Sequence, residues 1–181
     1  MAPPLARPAT TLVLPGDAVR AVAVVSVVVG TWYAGPVATA LFVLVAGGSL
    51  VPRLVGVSSA LDTLYCGVLL VAAWAAVLDW YAAVSWLDVV VHAVATGLIA
   101  VVAVAALVRW GALADPGTRL ERVVVTVGLG GTLAVLWELG EWAGHTFLDP
   151  GIQVGYRDTI GDLAAGLAGT VVAALALGRR R

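Results

Sequence analysis

Long apolar runs, broken by short clusters of charged, aromatic and turn-forming residues, divide the chain into six segments. They fall at about 18–34, 37–55, 59–79, 87–109, 121–145 and 158–178. Several approach the roughly 20 residues a helix needs to cross a bilayer. They are continuously apolar instead of alternating, which argues against a transmembrane barrel. The breaks have local causes. Asp17 can cap the first run, and Trp32-Tyr33-Ala34-Gly35-Pro36 ends it. Pro52 and Arg53 fall near the end of the second, where an arginine can reach the interface with its stem still in apolar surroundings. Ser59-Ala60-Leu61-Asp62 has the Ser-x-x-Asp pattern of a helix start, which gives Asp62 a capping role. Asp79-Trp80-Tyr81 closes the third run and Trp86 precedes the fourth, which ends at Arg109-Trp110-Gly111. Asp115-Pro116-Gly117 turns the chain before Glu121-Arg122 opens the fifth run. A loop with Asp149-Pro150-Gly151 leads to the sixth, which begins Asp158-Thr159-Ile160-Gly161-Asp162 and is followed by Arg179-Arg180-Arg181.

The pattern predicts an all-α fold: a polytopic membrane bundle of six transmembrane helices in one domain over residues 17–181. Residues 1–16, with four prolines and Arg7, read as a cytoplasmic leader. A basic leader before an apolar run also resembles a signal peptide. Five further apolar runs favour an uncleaved first helix. Composition agrees: 61% of residues are hydrophobic and 12% charged, against roughly a quarter charged in soluble domains. A net charge of −1 gives no reason to expect a nucleic-acid partner. Cys66 is the single cysteine, so neither an intrachain disulfide nor a thiolate metal site can form, and small core packing is its expected role.

Charge also orients the bundle. With six spans, one side receives Arg7, Arg20, Arg53, Arg109, Arg119, Arg122 and the terminal triplet, and the other receives Arg157 alone. By the positive-inside rule both termini are cytoplasmic (N-in, C-in) in a bacterial plasma membrane. The acids Asp79, Asp88, Glu138, Glu141, Asp149, Asp158 and Asp162, with His92 and His145, then lie in the extracytoplasmic half. One arginine cannot neutralise that set. The acids are solvated, share protons, or surround a cation.

Spacing selects among them. Asp88 and His92 are four apart and share a helical face; Glu138, Glu141 and His145 follow at i, i+3 and i+7; Asp158 and Asp162 repeat the four-residue step. Ionisable residues inside a membrane are a functional-site hypothesis by default. Glu138 and Asp162 carry the sharpest case because their depth is hardest to explain otherwise. His145, at a helix end, reads as a boundary residue, and His92 reads equally well as a hydrogen-bonded structural histidine. Gly131 and Ala134 continue the Glu138 face, and Ala165, Gly166 and Gly169 the Asp162 face, so the fifth and sixth helices are expected to pack closely through small residues. Trp32, Trp80, Trp86 and Trp142 read as an aromatic belt at the outer interface, with Trp137 deeper, walling the polar cluster.

The same residues resemble a known group. Asp88-x-x-x-His92, Trp137-Glu138-Leu139-Gly140-Glu141-Trp142 and Asp158-Thr159-Ile160-Gly161-Asp162 are similar, in order and spacing over about residues 60–178, to the YjdF-like bacterial inner-membrane proteins. In that family a D-x-x-x-H helix precedes a Y-E-L-x-E-W helix and a D-T-Q-x-D segment. This chain departs from the family in carrying Val91 before the histidine, and Gly155 and Arg157 where an extra acid and a Trp are usual. The resemblance implies the six-helix topology and the grouping of the three motifs, and it implies no reaction.

Carboxylate and imidazole donors without thiolate suit Zn, Mn or Fe, and Mg only if His is not a ligand. The leading expectation is a metal-dependent, hydrolase-like membrane enzyme acting on a lipid-linked or membrane-proximal substrate. Its metal set is Asp88, His92, Glu138, Glu141, Asp158 and Asp162, with Glu138 and Glu141 in acid/base roles. A cation- or proton-coupled transporter using the same acids is the alternative, and a non-catalytic membrane subunit the third reading.

Overall fold

The computed structural model describes residues 13–177. Most of the expected leader and the terminal arginine triplet lie outside the described residues. Within them the chain is helical throughout: α1 (Pro15–Gly48), α2 (Leu50–Val55), α3 (Ser59–Val77), α4 (Trp80–Ala83), α5 (Leu87–Arg109), α6 (Arg119–Phe147) and α7 (Tyr156–Leu177). Five stretches are long and apolar enough to cross a membrane, beginning with Pro15–Val55 taken as one.

That first stretch is where the expected and observed elements differ most. The run at 18–34 and most of the run at 37–55 join in one element, yet α1 is not a straight rod. Gly35 has φ 77° and ψ −157°, a conformation that favours glycine, and Pro36 follows it. The chain therefore doubles back. The Thr31 and Thr39 hydroxyls lie 2.8 Å apart across the bend. Phe42, fully buried, presses its ring on Gly30, leaving no room for a Cβ there. Ala23, Ala38, Phe42 and Val45 form a shared core with Ala73 of α3. Trp74 covers it, with its ring 4.9 Å from Phe42 and its indole N–H donating to the Ser26 hydroxyl at 3.1 Å.

The far end of this hairpin is held by charge. Arg20 is 8% exposed; its Nε donates to the Ser49 carbonyl at 2.7 Å, its Nη1 to Asp17 at 2.7 Å, and its Nη2 to Asp62 of α3. Ser49 lies in the turn between α1 and α2. Pro52, which lacks the N–H that would close the ladder to Gly48, follows three residues later. Asp17 also accepts from the Leu14 N–H at 2.9 Å, so it caps α1 as expected, and Arg53 lies 3.6 Å from it. The capping role expected of Asp62 is not observed. Ser58 is the N-cap of α3, accepting from Leu61, and Asp62 turns inward, 1% exposed, with Oδ2 packed over Gly16. Elsewhere the sequence signals hold. Thr118 and Glu121 form a reciprocal capping box that opens α6 two residues earlier than expected. Cys66 is buried, its thiol 3.6 Å from the Ser49 carbonyl.

The second group is α5, α6 and α7. The fifth and sixth apolar runs, now α6 and α7, pack closely as expected, but the tightest contact is between α5 and α7. Gly166 and Gly169 face α5: a Cβ at Gly169 would sit 1.8 Å from the Ala93 carbonyl oxygen, and one at Gly97 would sit 2.7 Å from that of Gly169. The order of contacts, Thr96 on Gly166 and Gly97 on Gly169, makes α5 and α7 parallel. α6 runs antiparallel beside both, with Gly130 against Thr170 and Ala100, and Gly131 against Leu167.

Two predictions follow from the packing. Gly169→Ala cannot be absorbed by a side-chain shift because its obstacle is backbone, so thermal unfolding in detergent should show a loss of about 1–3 kcal/mol. Gly128→Ala, with nothing within 4 Å, should hold or raise stability by up to about 1 kcal/mol. At the other end, Arg20→Ala strands a buried carboxylate and should cost about 3–5 kcal/mol, whereas Arg20→Met with Asp62→Leu should recover most of that loss.

Candidate functional site

At the end of the bundle remote from Arg20, the three polar motifs meet. Asp88 lies in the first turn of α5 and His92 one turn further on the same face, so their side chains are paired by helical geometry: Nε2 of His92 is 3.4 Å from Oδ1 of Asp88. The glycine-mediated approach of α7 adds the partner from another helix. Asp162 Oδ2 is 3.9 Å from the same Nε2. Donor atoms of Asp88, His92 and Asp162 all fall within 4.8 Å of one another.

The other three expected residues surround this group. Glu138 is buried on α6, within electrostatic reach of His92, Asp158 and Asp88 and beside Thr159. Glu141, one turn on and half-buried, faces Glu138, His92 and Asp162, and the Trp137 indole lies alongside it. Asp158, in the first turn of α7, faces Asp88 and His92. The three helices therefore present Asp88, Glu138, Glu141, Asp158 and Asp162 to a single imidazole. Asp162 and Glu138 are the most deeply buried of the five, at 4% and 9% exposure.

Asp79 is exposed, in a left-handed conformation with φ 54° ahead of α4. Asp149 accepts from the Gly151 N–H at 2.8 Å within its own loop. His145 Nδ1 lies 2.6 Å from the Ile152 carbonyl. Since a carbonyl can only accept, Nδ1 carries the proton, and the ring pins the loop against the end of α6. Trp32, Trp80, Trp86 and Trp142 are all exposed, as a belt requires.

Tyr81 was not singled out by the sequence. The single turn of α4 tucks it half-buried under the site, its hydroxyl donating to the Ala72 carbonyl at 3.1 Å. Burial, reinforced by the Asp88, Glu141 and Asp162 carboxylates, pushes its phenol above the ordinary value and keeps it neutral. An aromatic at a helix end reads as belt, and no spacing rule marks this one as facing a carboxylate cluster.

The arrangement can hold a cation. Donors about 2.1 Å from a tetrahedral ion lie about 3.4 Å from each other. The 3.4 Å and 3.9 Å separations centred on His92 approach that spacing. Glu138, Glu141 and Asp158 are the surplus carboxylates next to such an ion. Protonated instead, His92 would form a bridging ion pair between Asp88 and Asp162, leaving the other three acids uncompensated.

Comparison with curated proteins and with solved structures yields no match. A family described as "Predicted membrane protein (DUF2238)" matches residues 13–181, nearly the whole chain. With its apolar helices and that match, the chain belongs to this membrane-protein family.

Proposed function

We propose that the chain is a metal-dependent membrane enzyme of hydrolase type, built on six spans. The observation that carries the reading is the convergence of Asp88, His92 and Asp162, from two helices, to within 4.8 Å. Asp88, His92 and Asp162 would hold a Zn, Mn or Fe ion, and Glu138, Glu141 and Asp158 would complete or surround the set. A bound ion of this kind acidifies a water molecule and polarises an ester or phosphoryl oxygen. Glu141 is the more accessible of the two α6 acids and serves as base, taking the water proton and returning it to the leaving oxygen. Glu138 is the buried acid that, beside Thr159, faces and orients His92 (a carboxylate beside a ligand set holds it in position). Tyr81, neutral, offers a hydroxyl at the edge of the same cluster. A lipid-linked or membrane-proximal substrate fits a site that lies one to two turns inside three helix ends.

Topology is part of the proposal. The bend at Gly35 divides Pro15–Val55 into two legs, and counting each as a span gives six, with both termini on the arginine-rich side (N-in, C-in) of a bacterial plasma membrane. The finer likeness to the YjdF-like proteins belongs to the same reading. A cation- or proton-coupled carrier needs acids that continue to the opposite face. There Asp62 is already paired with Arg20 and sealed against Gly16, which weighs against that alternative. In a non-catalytic subunit the acid cluster would serve packing alone.

Elemental analysis of the purified protein should find stoichiometric transition metal in the wild type. Asp162→Asn and His92→Ala should lose it, and Glu138→Gln should weaken retention about 10–100-fold. Well-folded protein that never takes up metal from Zn, Mn or Fe would sink the enzyme reading. Acid-dependent ion flux in proteoliposomes would favour the carrier. For topology, alkaline phosphatase fused after Gly151 should be active and a fusion after the terminal arginines inactive; the reverse pattern would overturn the orientation.

A further inference from the structure

At the opposite end of the molecule, away from the acidic cluster, the surface opens into a cleft. Between the two helical groups, where the end of α2 and its following turn meet α5, α6 and α7, there is a cavity of about 460 Å³. That volume is within the range of small-molecule sites. Its walls are apolar, with Val101, Val104 and Val108 of α5 on one side and Val57 opposite. Its mouth is different. Arg109, the last residue of α5, and Arg122, in the first turns of α6, both line it, with Asp115 from the connecting loop. Arg122 is braced at that position by donation from Nη2 to the Pro116 carbonyl at 3.1 Å.

The layout is amphipathic along one direction. Val101 and Arg109 are eight residues apart on one helix, which puts the apolar floor about 12 Å below the charged rim. Two guanidinium groups and one carboxylate stand together at the rim. Guanidinium forks match the bidentate geometry of phosphate oxygens. Basic pockets between membrane helices on the cytoplasmic side are suited to anionic headgroups, and the hydrocarbon of the bilayer supplies the chain for the floor. A soluble anion would satisfy the rim and leave the valine-lined chamber unexplained. A neutral lipid would fill the chamber without using the arginines.

We propose that this cavity binds an anionic glycerophospholipid of the leaflet on the arginine-rich side, its phosphate on Arg109 and Arg122 and an acyl chain between the valines. Asp115 opposes the headgroup and limits affinity. The bound lipid bridges the seam between the α1–α3 and α5–α7 groups, so it stabilises the assembled bundle.

The full-length protein, delipidated in dodecylmaltoside, provides the test through native mass spectrometry and thermal unfolding with added phosphatidylglycerol, phosphatidylcholine or inorganic phosphate. Phosphatidylglycerol should bind at least about tenfold more tightly than phosphatidylcholine and raise the melting temperature, in line with the worth of charge-assisted hydrogen bonds. Arg109→Gln should weaken its binding about tenfold, Asp115→Asn should strengthen it, and Ala105→Phe, which fills the chamber, should abolish it. If Ala105→Phe unfolds, the Arg109 and Asp115 variants, both at exposed positions, still decide the matter by their opposite signs. Equal binding of the two lipids, or stabilisation reproduced by inorganic phosphate alone, would overturn the proposal, as would indifference to both rim substitutions.

Discussion

Inside a bilayer there is no difference in apolarity to press one helix against another, so the separation of two helices is set by what their backbones permit. In this protein the governing contact is between α5 and α7, where Gly97 and Gly169 let backbone lie directly on backbone and Gly169 sits over the Ala93 carbonyl. A side chain at either position would hold the helices apart. His92 is one residue from Ala93, and Asp162 is seven before Gly169, two turns along the same face. The approach that glycine allows at one level therefore brings the imidazole and the carboxylate within 3.9 Å at the next. Parallel orientation matters as much as distance. It puts the first turns of α5 and α7 at the same end, where the connecting helix α6 must also deliver its carboxyl-terminal turns carrying Glu138 and Glu141.

The two ends of the molecule handle buried charge in opposite ways. At the open end of the α1 hairpin, remote from Gly35, Arg20 meets Asp17, Asp62 and the Ser49 carbonyl, and Arg53 adds a second cation, so positive and negative groups balance. Pairs of that kind hold elements in register, and breaking one leaves an uncompensated charge out of water. At the other end five carboxylates face one histidine, and among the described residues no arginine pairs with them. Such an excess is compatible with burial only through shared protons or a cation. That asymmetry is why the acidic end, and not the paired charges around Arg20, carries the functional proposal.

The seam between the two helical groups has a further consequence. Each group has its own close packing, around Phe42 and Trp74 in the first and around glycine contacts in the second. Between them lies the open, valine-lined cleft beside Arg109 and Arg122. A membrane protein need not fill such a space with its own side chains, because the solvent around it is hydrocarbon. The same seam is spanned near the acidic end by α4, whose Tyr81 reaches back to α3 through the Ala72 carbonyl while facing the acids of α5, α6 and α7.

Much of this was set by local pattern. Apolar run length places α3, α5, α6 and α7 within two residues of where they are observed, because desolvation forces every backbone group in such a run into its own helix. Four-residue spacing pairs Asp88 with His92, since that step is one helical turn. The six site residues were legible as three one-sided motifs for the same reason. Tertiary structure decided the rest. That Asp62 partners Arg20 across 42 residues, instead of capping α3, depends on the fold-back at Gly35, which no spacing within α3 reveals. That α7 lies closest to α5 depends on where two glycine surfaces fit, and glycine is too frequent in this chain for sequence to single out its partner. Periodicity fixes which residues share a face on one helix; only the packing of backbones decides which faces meet, and it is that meeting which turns scattered acids into a site.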